Sequence, residues 1–278
     1  MTSTPARPPS SELTWSGGPP PPLPRQSLWQ RLRMGVRAVT LVVVTYVGMV
    51  PVLISRWVEP RGRSPVWLTM AHLWGKVCLW LCGARVRREG VPIDTGLLMS
   101  NHTGWIDIFA LLAAERVVFV SKAEVARWPV VGPLSRQIGT VYIERRRSQA
   151  KQQQSQLLTP LGEGRRVVLF PEGTSTDGQR VLPFRSSLFA AAQEAGCLVQ
   201  PVSVVYHARA PLPPSFYGWW GDMALGPHLK AVFALASGNR VDVVFHPALD
   251  PAEFPDRKAL AAACEDVVRA GLTQRLPG

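Results

Sequence analysis

The chain has 278 residues, of which 46% are hydrophobic, and it carries a formal net charge of +12. This hydrophobic content excludes an intrinsically disordered protein, and the length suffices for one domain of about 200 residues besides a tail and a membrane segment. The positive charge favours a polyanionic partner: nucleic acid, an anionic membrane surface or a phosphorylated ligand. Ten tryptophans favour the membrane, because indole rings prefer the headgroup zone of a bilayer. The four scattered cysteines do not form a disulfide framework or a metal site, which favours a reducing, cytosol-facing compartment.

The N-terminal part of the chain divides into a tail and an apolar region. Residues 1–27 are rich in Pro, Ser and Gly, which is typical of a disordered or polyproline-like tail. Ala38–Ile54 carries no charge in 17 residues, at the short end for a helix that spans a bilayer. Val66–Cys82 is also apolar but contains His72 and Lys76, which an interfacial helix accommodates better than a spanning one. We expect one span or a two-helix hairpin in one leaflet; a pair of buried core helices is the alternative.

From Leu97 on, short apolar runs alternate with helical patterns. The predicted strands are Leu97–Ser100, Val117–Ser121, Thr140–Glu144, Val167–Phe170, Leu198–Val205 and Val241–Phe245. The predicted helices are Trp105–Ala114, Ser148–Leu161, Ser187–Ala195 and Arg257–Ala270. This alternation predicts an α/β fold with a mostly parallel sheet flanked by helices. We therefore expect a tail (1–27), an N-terminal membrane-associated helical hairpin (28–84) and an α/β domain (85–278).

A histidine and an aspartate follow the first predicted strand, in the segment NHTGWID. Residues five apart on a continuous helix point about 140° away from each other. His102 and Asp107 can therefore meet if His102 lies in the loop and Asp107 in the first turn of the helix. The carboxylate would then hold the imidazole in one tautomer and stabilise its charged form, as general-base catalysis requires. A helix-capping loop with a polar histidine explains this segment alone equally well.

Three more strands carry polar or special residues. The segment FPEGTS places Glu172 at the same edge of the sheet as His102, and Gly173 lets the backbone approach a ligand closely. The segment GTVYIERRR delivers Glu144 and three arginines, whose guanidinium groups match phosphate or carboxylate. The segment VQPV contains Pro201, which favours an edge strand. Each has a structural alternative: a strand-to-turn exit, a solvated basic surface and an ordinary strand.

Together these segments resemble the glycerolipid acyltransferase family, typified by bacterial 1-acylglycerol-3-phosphate acyltransferase. NHTGWID matches its N-H-x4-D block, and GTVYIERR, FPEGTST and VQPV resemble its second, third and fourth blocks, in the same order. The resemblance implies that His102 is the general base and Asp107 its partner. It also implies that a further set of residues binds the acceptor or shapes its site: Asn101, Glu144, Arg145, Glu172, Gly173, Thr174, Ser175 and Pro201.

The resemblance implies direct acyl transfer. His102 would remove the proton from an acceptor hydroxyl, and the oxygen would attack the thioester of acyl-CoA or acyl carrier protein. Backbone amides near Gly104 are expected to stabilise the developing oxyanion. No cofactor, metal or nucleic acid is expected, and the partners are a membrane lipid and the acyl carrier. The expected location is a membrane of the bacterial inner-membrane type, with the site facing the cytoplasm.

Two positions depart from the family pattern. Glu144 stands where the second block usually has Asp, and Ser175 stands where the third usually has an Arg that is taken to bind acceptor phosphate. FPEGTSTDG followed by VLPFRSSLF looks like the lyso-ornithine lipid acyltransferase branch, whose acceptor is zwitterionic. We expect lysophosphatidic acid as the acceptor, since it is the commoner substrate of the wider family, with Arg180 or Arg185 replacing the missing arginine. Lyso-ornithine lipid is the alternative.

Two other classes of function are alternatives. A serine esterase would use Ser175, Ser186 or Ser187 with His102, but the chain has no G-x-S-x-G elbow. A non-catalytic membrane or nucleic-acid adaptor would depend on charge alone. Basic residues on one face, far from His102, would favour the adaptor.

Overall fold

The computed structural model describes residues 17–58, 66–122, 126–127, 132, 140–143, 157 and 159–276. The helices are α1 (Leu28–Val58), α2 (Val66–Leu81), α3 (Asp107–Ala114), α4 (Ala190–Ala195), α5 (Leu225–Leu235) and α6 (Arg257–Thr273). The strands are β1 (Ala84–Glu89), β2 (Gly96–Ser100), β3 (Val118–Lys122), β4 (Val141–Ile143), β5 (Arg166–Leu169), β6 (Val199–His207) and β7 (Asn239–Phe245). Short 3₁₀ turns cover Ser186–Phe189 and Pro251–Glu253. The described residues thus form the strand–helix alternation that the sequence predicts.

The seven strands form one sheet in the order β1-β7-β6-β2-β5-β3-β4. The five strands from β6 to β4 are mutually parallel, whereas β7 runs antiparallel to β6 and carries β1 parallel to itself. The prediction of a mostly parallel sheet flanked by helices is confirmed. Because parallel strands end at one edge of a sheet, the loops that follow β2 and β5 and the last residues of β6 lie together.

Strand β2 lies in the middle of the sheet and is buried on both faces. Leu98 belongs to a core that also holds residues of α2, α3 and α5, whereas Leu97 and Met99 belong to a second core that contacts α4 and α6. This division follows from the alternation of side chains along a strand. The strand is thereby fixed from both sides, so the loop that follows it starts from a rigid point.

Strand β6 lies inside the sheet, between β7 and β2, so the edge position predicted from Pro201 is wrong. Proline lacks a backbone N–H, but the β6–β7 ladder begins only at Val202, opposite Phe245. The carbonyl of His246 accepts instead from Gln200 Nε2, at 2.8 Å. The side chain of Gln200 therefore supplies a donor where β7 leaves β6, and the proline is tolerated.

Two elements were missed by the sequence analysis. Strand β1 reads ARVRRE and is mostly charged, because it is an edge strand that keeps one face in solvent. Helix α5 begins with Leu225, Gly226 and Pro227, which resembles a turn signal; proline is nevertheless tolerated in the first turn of a helix. Of the predicted helix Ser148–Leu161, most residues lie outside the described part of the chain; Leu157 and residues 159–162 are helical.

The two N-terminal helices have different surroundings. Residues Leu28–Pro51 of α1 are long and apolar enough to cross a membrane, with a mean hydropathy of 1.6, and 6% of the most apolar window is buried. In α2, one face is buried, and at Gly75 a Cβ would lie 2.4 Å from Leu112 Cβ of α3. The opposite face of α2 exposes Leu73 and Trp80. Helix α2 thus belongs to the core on one side, as the core-helix alternative requires, and presents apolar side chains on the other.

Two arginines attach the start of α1 to the end of α5. Arg33 Nε donates to Ala234 O at 3.0 Å, and Arg37 Nη1 donates to Phe233 O at 3.0 Å and Ala236 O at 2.8 Å. The last carbonyls of a helix lack partners within the helix and carry its partial negative charge, so cationic donors suit them. This contact holds the apolar part of α1 in a defined place beside the sheet domain.

We expect α1 to insert into a lipid bilayer. The protein should sediment with membranes and stay there in high salt, because salt screens surface charge but does not weaken apolar insertion. Replacing Val43 and Val47 by Lys should release the protein, since each charge at the centre of a membrane helix costs about 2.5–3.5 kcal/mol. Leu28→Lys, at the first residue of the helix, is the control and should remain bound. Release of the wild-type chain by salt alone would contradict insertion.

Candidate active site

His102 and Asp107 meet beyond the carboxyl end of β2. His102 lies in the loop after the strand, and Asp107 is the first residue of α3. His102 Nδ1 is 2.8 Å from Asp107 Oδ2, the Asp107 side chain is fully buried, and the His102 side chain is 24% exposed. The fold therefore adopts the loop-and-first-turn arrangement that the five-residue spacing requires.

The carboxylate of Asp107 accepts hydrogen bonds from four donors. Besides the imidazole, Oδ2 accepts from the backbone amides of Thr103 at 2.7 Å and Gly104 at 3.0 Å, and Oδ1 accepts from the Tyr206 hydroxyl at 2.8 Å. Burial and the neighbouring Asp107 charge raise the pKa of Tyr206, so this residue remains an O–H donor. A buried carboxylate needs several such donors to offset its lost hydration. Asp107 is thereby held in one orientation.

These contacts give two backbone amides a role that the sequence did not predict. The Thr103 and Gly104 amides donate to Asp107, because the loop turns back on the first residue of α3. These two N–H groups therefore position the His102–Asp107 pair. The expected stabilisation of the oxyanion by amides near Gly104 stays a prediction.

The His102 ring is fixed from two sides. An ionised carboxylate only accepts hydrogen bonds, so the proton on the ring is assigned to Nδ1, and Nε2 keeps its lone pair. The ring also stacks on Phe170, with centroids 4.1 Å apart and planes at 20°. No hydrogen bond to Nε2 occurs among the described residues, and a partly exposed imidazole with a buried acidic partner can act as a general base.

Glu172 connects the loop after β5 to the His102 loop. Its Oε1 accepts from the His102 amide at 2.7 Å, its Oε2 accepts from the Leu182 amide at 2.9 Å, and the residue is 1% exposed. Burial raises the pKa of Glu172 to about 8, against the two amide donors, which favour the ionised form. Both oxygens are bonded to backbone, so Glu172 positions the histidine loop. The predicted role of Glu172 in binding the acceptor stays a prediction.

Ser175 contacts the tryptophan segment, residues 216–220, which the sequence did not point to as part of the site. Its hydroxyl donates to Trp219 O, and the Trp219 amide donates to Thr103 O at 2.9 Å. At Gly104 a Cβ would lie 3.0 Å from Trp219 Cβ. The tryptophan segment thus packs on both motif loops. The aromatic run FYGWW was the available signal, but it also suits an ordinary core or membrane contact.

Arg185 lies against the glycine of the FPEGTS turn. Gly173 has a φ of +74°, which favours glycine, and a Cβ there would lie 2.4 Å from Arg185 Cζ and 2.6 Å from its Nε. The absence of a side chain at Gly173 therefore makes room for the guanidinium group. Arg180, by contrast, forms a two-pronged pair with Asp177, with N–O distances of 3.2 and 3.0 Å.

The remaining predicted site residues divide into placed and undescribed ones. Asn101 is fully buried, and its side chain bonds both backbone groups of Val204, at 2.9 and 2.8 Å, so its contacts are those of a positioning residue. Pro201 is buried in β6, level with Met99 of β2, and Thr174 lies partly buried in the turn. The last two predicted residues, Glu144 and Arg145, lie outside the described residues.

A second histidine–aspartate pair occurs where β6 meets β7. His207 Nε2 is 2.8 Å from Asp242 Oδ2, and the two side chains are 22% and 2% exposed. Arg240 Nε also lies 2.9 Å from Asp242 Oδ1, so this carboxylate already has a permanent cation. The pair has almost the same distance and exposure as His102–Asp107 but lies outside the four motif segments.

Comparisons with known proteins show the fold and the family of the chain. The 1-acyl-sn-glycerophosphate acyltransferase of Thermotoga maritima has the same fold, with a TM-score of 0.65 and 24% identity over 90% of this chain and 98% of that one. A family model described as Acyltransferase matches residues 84–205. The chain is 42% identical to the lyso-ornithine lipid O-acyltransferase of Rhodobacter capsulatus over 94% of its own length and 98% of that protein. The chain belongs to the acyltransferase family. It is also 32% identical to the 1-acyl-sn-glycerol-3-phosphate acyltransferase of Neisseria gonorrhoeae, over 76% of this chain and 82% of that one.

The family assignment makes the protein an enzyme and replaces the esterase and adaptor alternatives. An esterase nucleophile would donate its hydroxyl to His102, whereas the Ser175 hydroxyl donates to Trp219 O. Acyltransferases of this family need no cofactor. Within the described ranges, no group of three His, Cys, Asp or Glu residues could hold a metal ion. The lipid-enzyme relatives and the apolar helix α1 together indicate association of this acyltransferase with a membrane.

The buried Glu172 should give the stability of the acyltransferase a pH dependence. Burial raises its pKa from 4.5 to about 8, so the folded protein keeps a proton that the unfolded chain releases between these values. This contribution is fully present below the unfolded pKa and is lost as the pH rises through the folded one. The free energy of unfolding in detergent should therefore fall more steeply from about pH 5 to 8 in the wild type than in Glu172→Gln. Equal slopes would contradict the shifted pKa.

Proposed function

We propose that this acyltransferase moves a fatty acyl chain to the free hydroxyl of a lyso-ornithine lipid. The observation that carries the proposal is the 42% identity to an enzyme of that name over nearly the whole of both chains. Ser175 supports it, because the position that resembles a phosphate-binding arginine holds a hydroxyl that is already bonded to Trp219. The proposal reverses the expectation from the motifs alone, which favoured lysophosphatidic acid.

In the proposed mechanism, His102 Nε2 removes the proton from the acceptor hydroxyl as the oxygen attacks the thioester carbonyl. Asp107 Oδ2 lies 2.8 Å from His102 Nδ1 and accepts its N–H, so this carboxylate stabilises the imidazolium that forms. The imidazolium then returns the proton to the departing thiolate, so that the ester and a free thiol result. Phe170 and the Glu172 contact to the His102 amide keep the ring and its loop in place.

The acyl donor in this proposal is acyl-CoA or acyl carrier protein, and the site faces the cytoplasm, where such carriers are found. The inserted helix α1 holds the enzyme at a bacterial inner membrane, beside its lipid acceptor. Residues 1–27 form a tail, residues 28–84 the membrane-associated part and residues 85–278 the acyltransferase domain. Glu144 and Arg145 contribute acceptor contacts, and Pro201 shapes the site.

Lysophosphatidic acid is the second candidate acceptor. The observation that favours it is the 32% identity to a 1-acyl-sn-glycerol-3-phosphate acyltransferase over 82% of that protein. The two acceptors share a long acyl chain, a free hydroxyl and a headgroup that contains an anionic group. They differ in the headgroup, which is a phosphate monoester in one and a carboxylate with an amine in the other.

The second histidine–aspartate pair allows a matched test of catalysis. His102→Ala should lower kcat by about 10²–10⁴-fold, the usual contribution of a positioned base, while the protein stays folded. His207→Ala, which removes a ring of similar exposure and similar contact to a buried aspartate, should leave kcat within a few-fold of the wild type. Near-normal turnover of folded His102→Ala would contradict the mechanism.

The acceptor is tested with purified enzyme and both lipids. The wild type should acylate lyso-ornithine lipid with the higher kcat/KM. Ser175→Arg should shift the ratio of kcat/KM toward lysophosphatidic acid, because a guanidinium group suits a phosphate monoester. Ser175→Ala is the control, since it also removes the hydroxyl contact to Trp219 but adds no charge. Acylation of lysophosphatidic acid alone by the wild type would overturn the proposed acceptor and leave the family assignment intact.

A further inference from the structure

A guanidinium group that has no anionic partner among the described residues lies beside the candidate site. Arg185 rests on Gly173, as the short distances from a Gly173 Cβ to its Cζ and Nε show. Gly173 directly follows Glu172, whose carboxylate bonds the His102 amide at 2.7 Å. The Arg185 guanidinium therefore contacts the residue next to Glu172, which positions the loop that carries His102.

In the described part of the chain, no anionic side chain pairs with Arg185. Its Nε is buried and has no hydrogen-bond partner among the described residues. Within the described ranges, no carboxylate lies within 4.0 Å of the Arg185 guanidinium, although ion pairs of this kind involve Arg166, Arg180 and Arg269. A partly buried cation with an unpaired N–H loses hydration without gaining a hydrogen bond. An anionic ligand would supply that hydrogen bond and the opposite charge.

The backbone contacts of Arg185 suit a receptor. Its amide donates to Pro171 O at 2.9 Å, and its carbonyl accepts from the Leu188 amide at 3.1 Å. The residue is thus fixed to the same turn that carries Glu172 and Gly173. A group that is held before the ligand arrives loses less entropy on binding.

The other candidates near this turn are already engaged. Arg180 is forked onto Asp177, and the Ser175 hydroxyl is bonded to Trp219 O. The two arginines that could replace the missing family arginine therefore differ: Arg180 is paired with Asp177, whereas Arg185 Nε has no hydrogen-bond partner among the described residues.

We propose that Arg185 determines acceptor affinity by binding the anionic group of the lipid headgroup, which is the carboxylate of lyso-ornithine lipid. The inference rests on the proposed function and names the residue that recognises its acceptor. The planar guanidinium offers parallel N–H donors to two oxygens, so carboxylate and phosphate are bound by the same chemistry. Arg185 acts on the headgroup and not on the reacting hydroxyl, so its effect belongs in KM.

The test compares acceptors with and without the anion in full-length enzyme. Arg185→Met should raise the KM for lyso-ornithine lipid by about 10–100-fold, as expected for a lost charge-assisted hydrogen bond. The kcat and the KM for the acyl donor should change little. Arg185→Lys, which keeps the charge but loses the fork, should recover part of the affinity. Arg180→Met is the matched control, because this arginine lies in the same segment but is paired with Asp177.

The decisive arm uses a lyso-ornithine lipid whose carboxylate is converted to the carboxamide. The KM of the wild type for this carboxamide should equal the KM of Arg185→Met for lyso-ornithine lipid. Arg185→Met should not raise the KM for the carboxamide any further. If Arg185→Met weakens both lipids equally, or if it lowers kcat alone, the inference is wrong. If the wild type acylates only lysophosphatidic acid, the proposed acceptor is wrong. The same comparison between lysophosphatidic acid and monoacylglycerol then decides whether Arg185 binds the anion.

Discussion

The buried carboxylate of Asp107 is the constraint on which the site depends. A carboxylate with no exposed surface is stable only when donors replace its hydration, and Asp107 obtains them from the His102 ring, two amides and Tyr206. These donors come from the loop after β2 and from the end of β6. These contacts close the loop on the first residue of α3, and in the described part of the chain no hydrogen bond occupies His102 Nε2.

The neighbouring FPEGTS turn has Ser175 at the position where the family usually has an arginine. In a sequence that resembles a phosphate-binding block, Ser175 bonds Trp219, and the tryptophan segment packs on the histidine loop. The charge that the block lacks at that position is present at Arg185, which occupies the space left by Gly173. In the proposed function, Arg185 thus takes the place of the family arginine in binding the anionic group of the acceptor.

Local patterns predicted what depends on local chemistry. The spacing of His102 and Asp107 predicted the one arrangement in which the two side chains can meet, and strand–helix alternation predicted the mostly parallel sheet. Contacts between distant segments were beyond reach. Tyr206 lies 99 residues from Asp107, and a tyrosine at the end of an apolar strand carries no signal of its partner. Pro201 misled because Gln200 compensates for the missing donor, and such compensation is visible only in three dimensions.

The central claim is that Asp107 and His102 act as one catalytic unit. It is tested most directly by kcat of Asp107→Asn, His102→Ala and the double variant, measured with saturating donor and acceptor. Asparagine cannot accept from all the donors around Asp107, so each single change should lower kcat by about 10²–10⁴-fold. The double variant should be no slower than His102→Ala within a few-fold, because residues that act as a unit are not additive. Losses that multiply in the double variant would contradict the account.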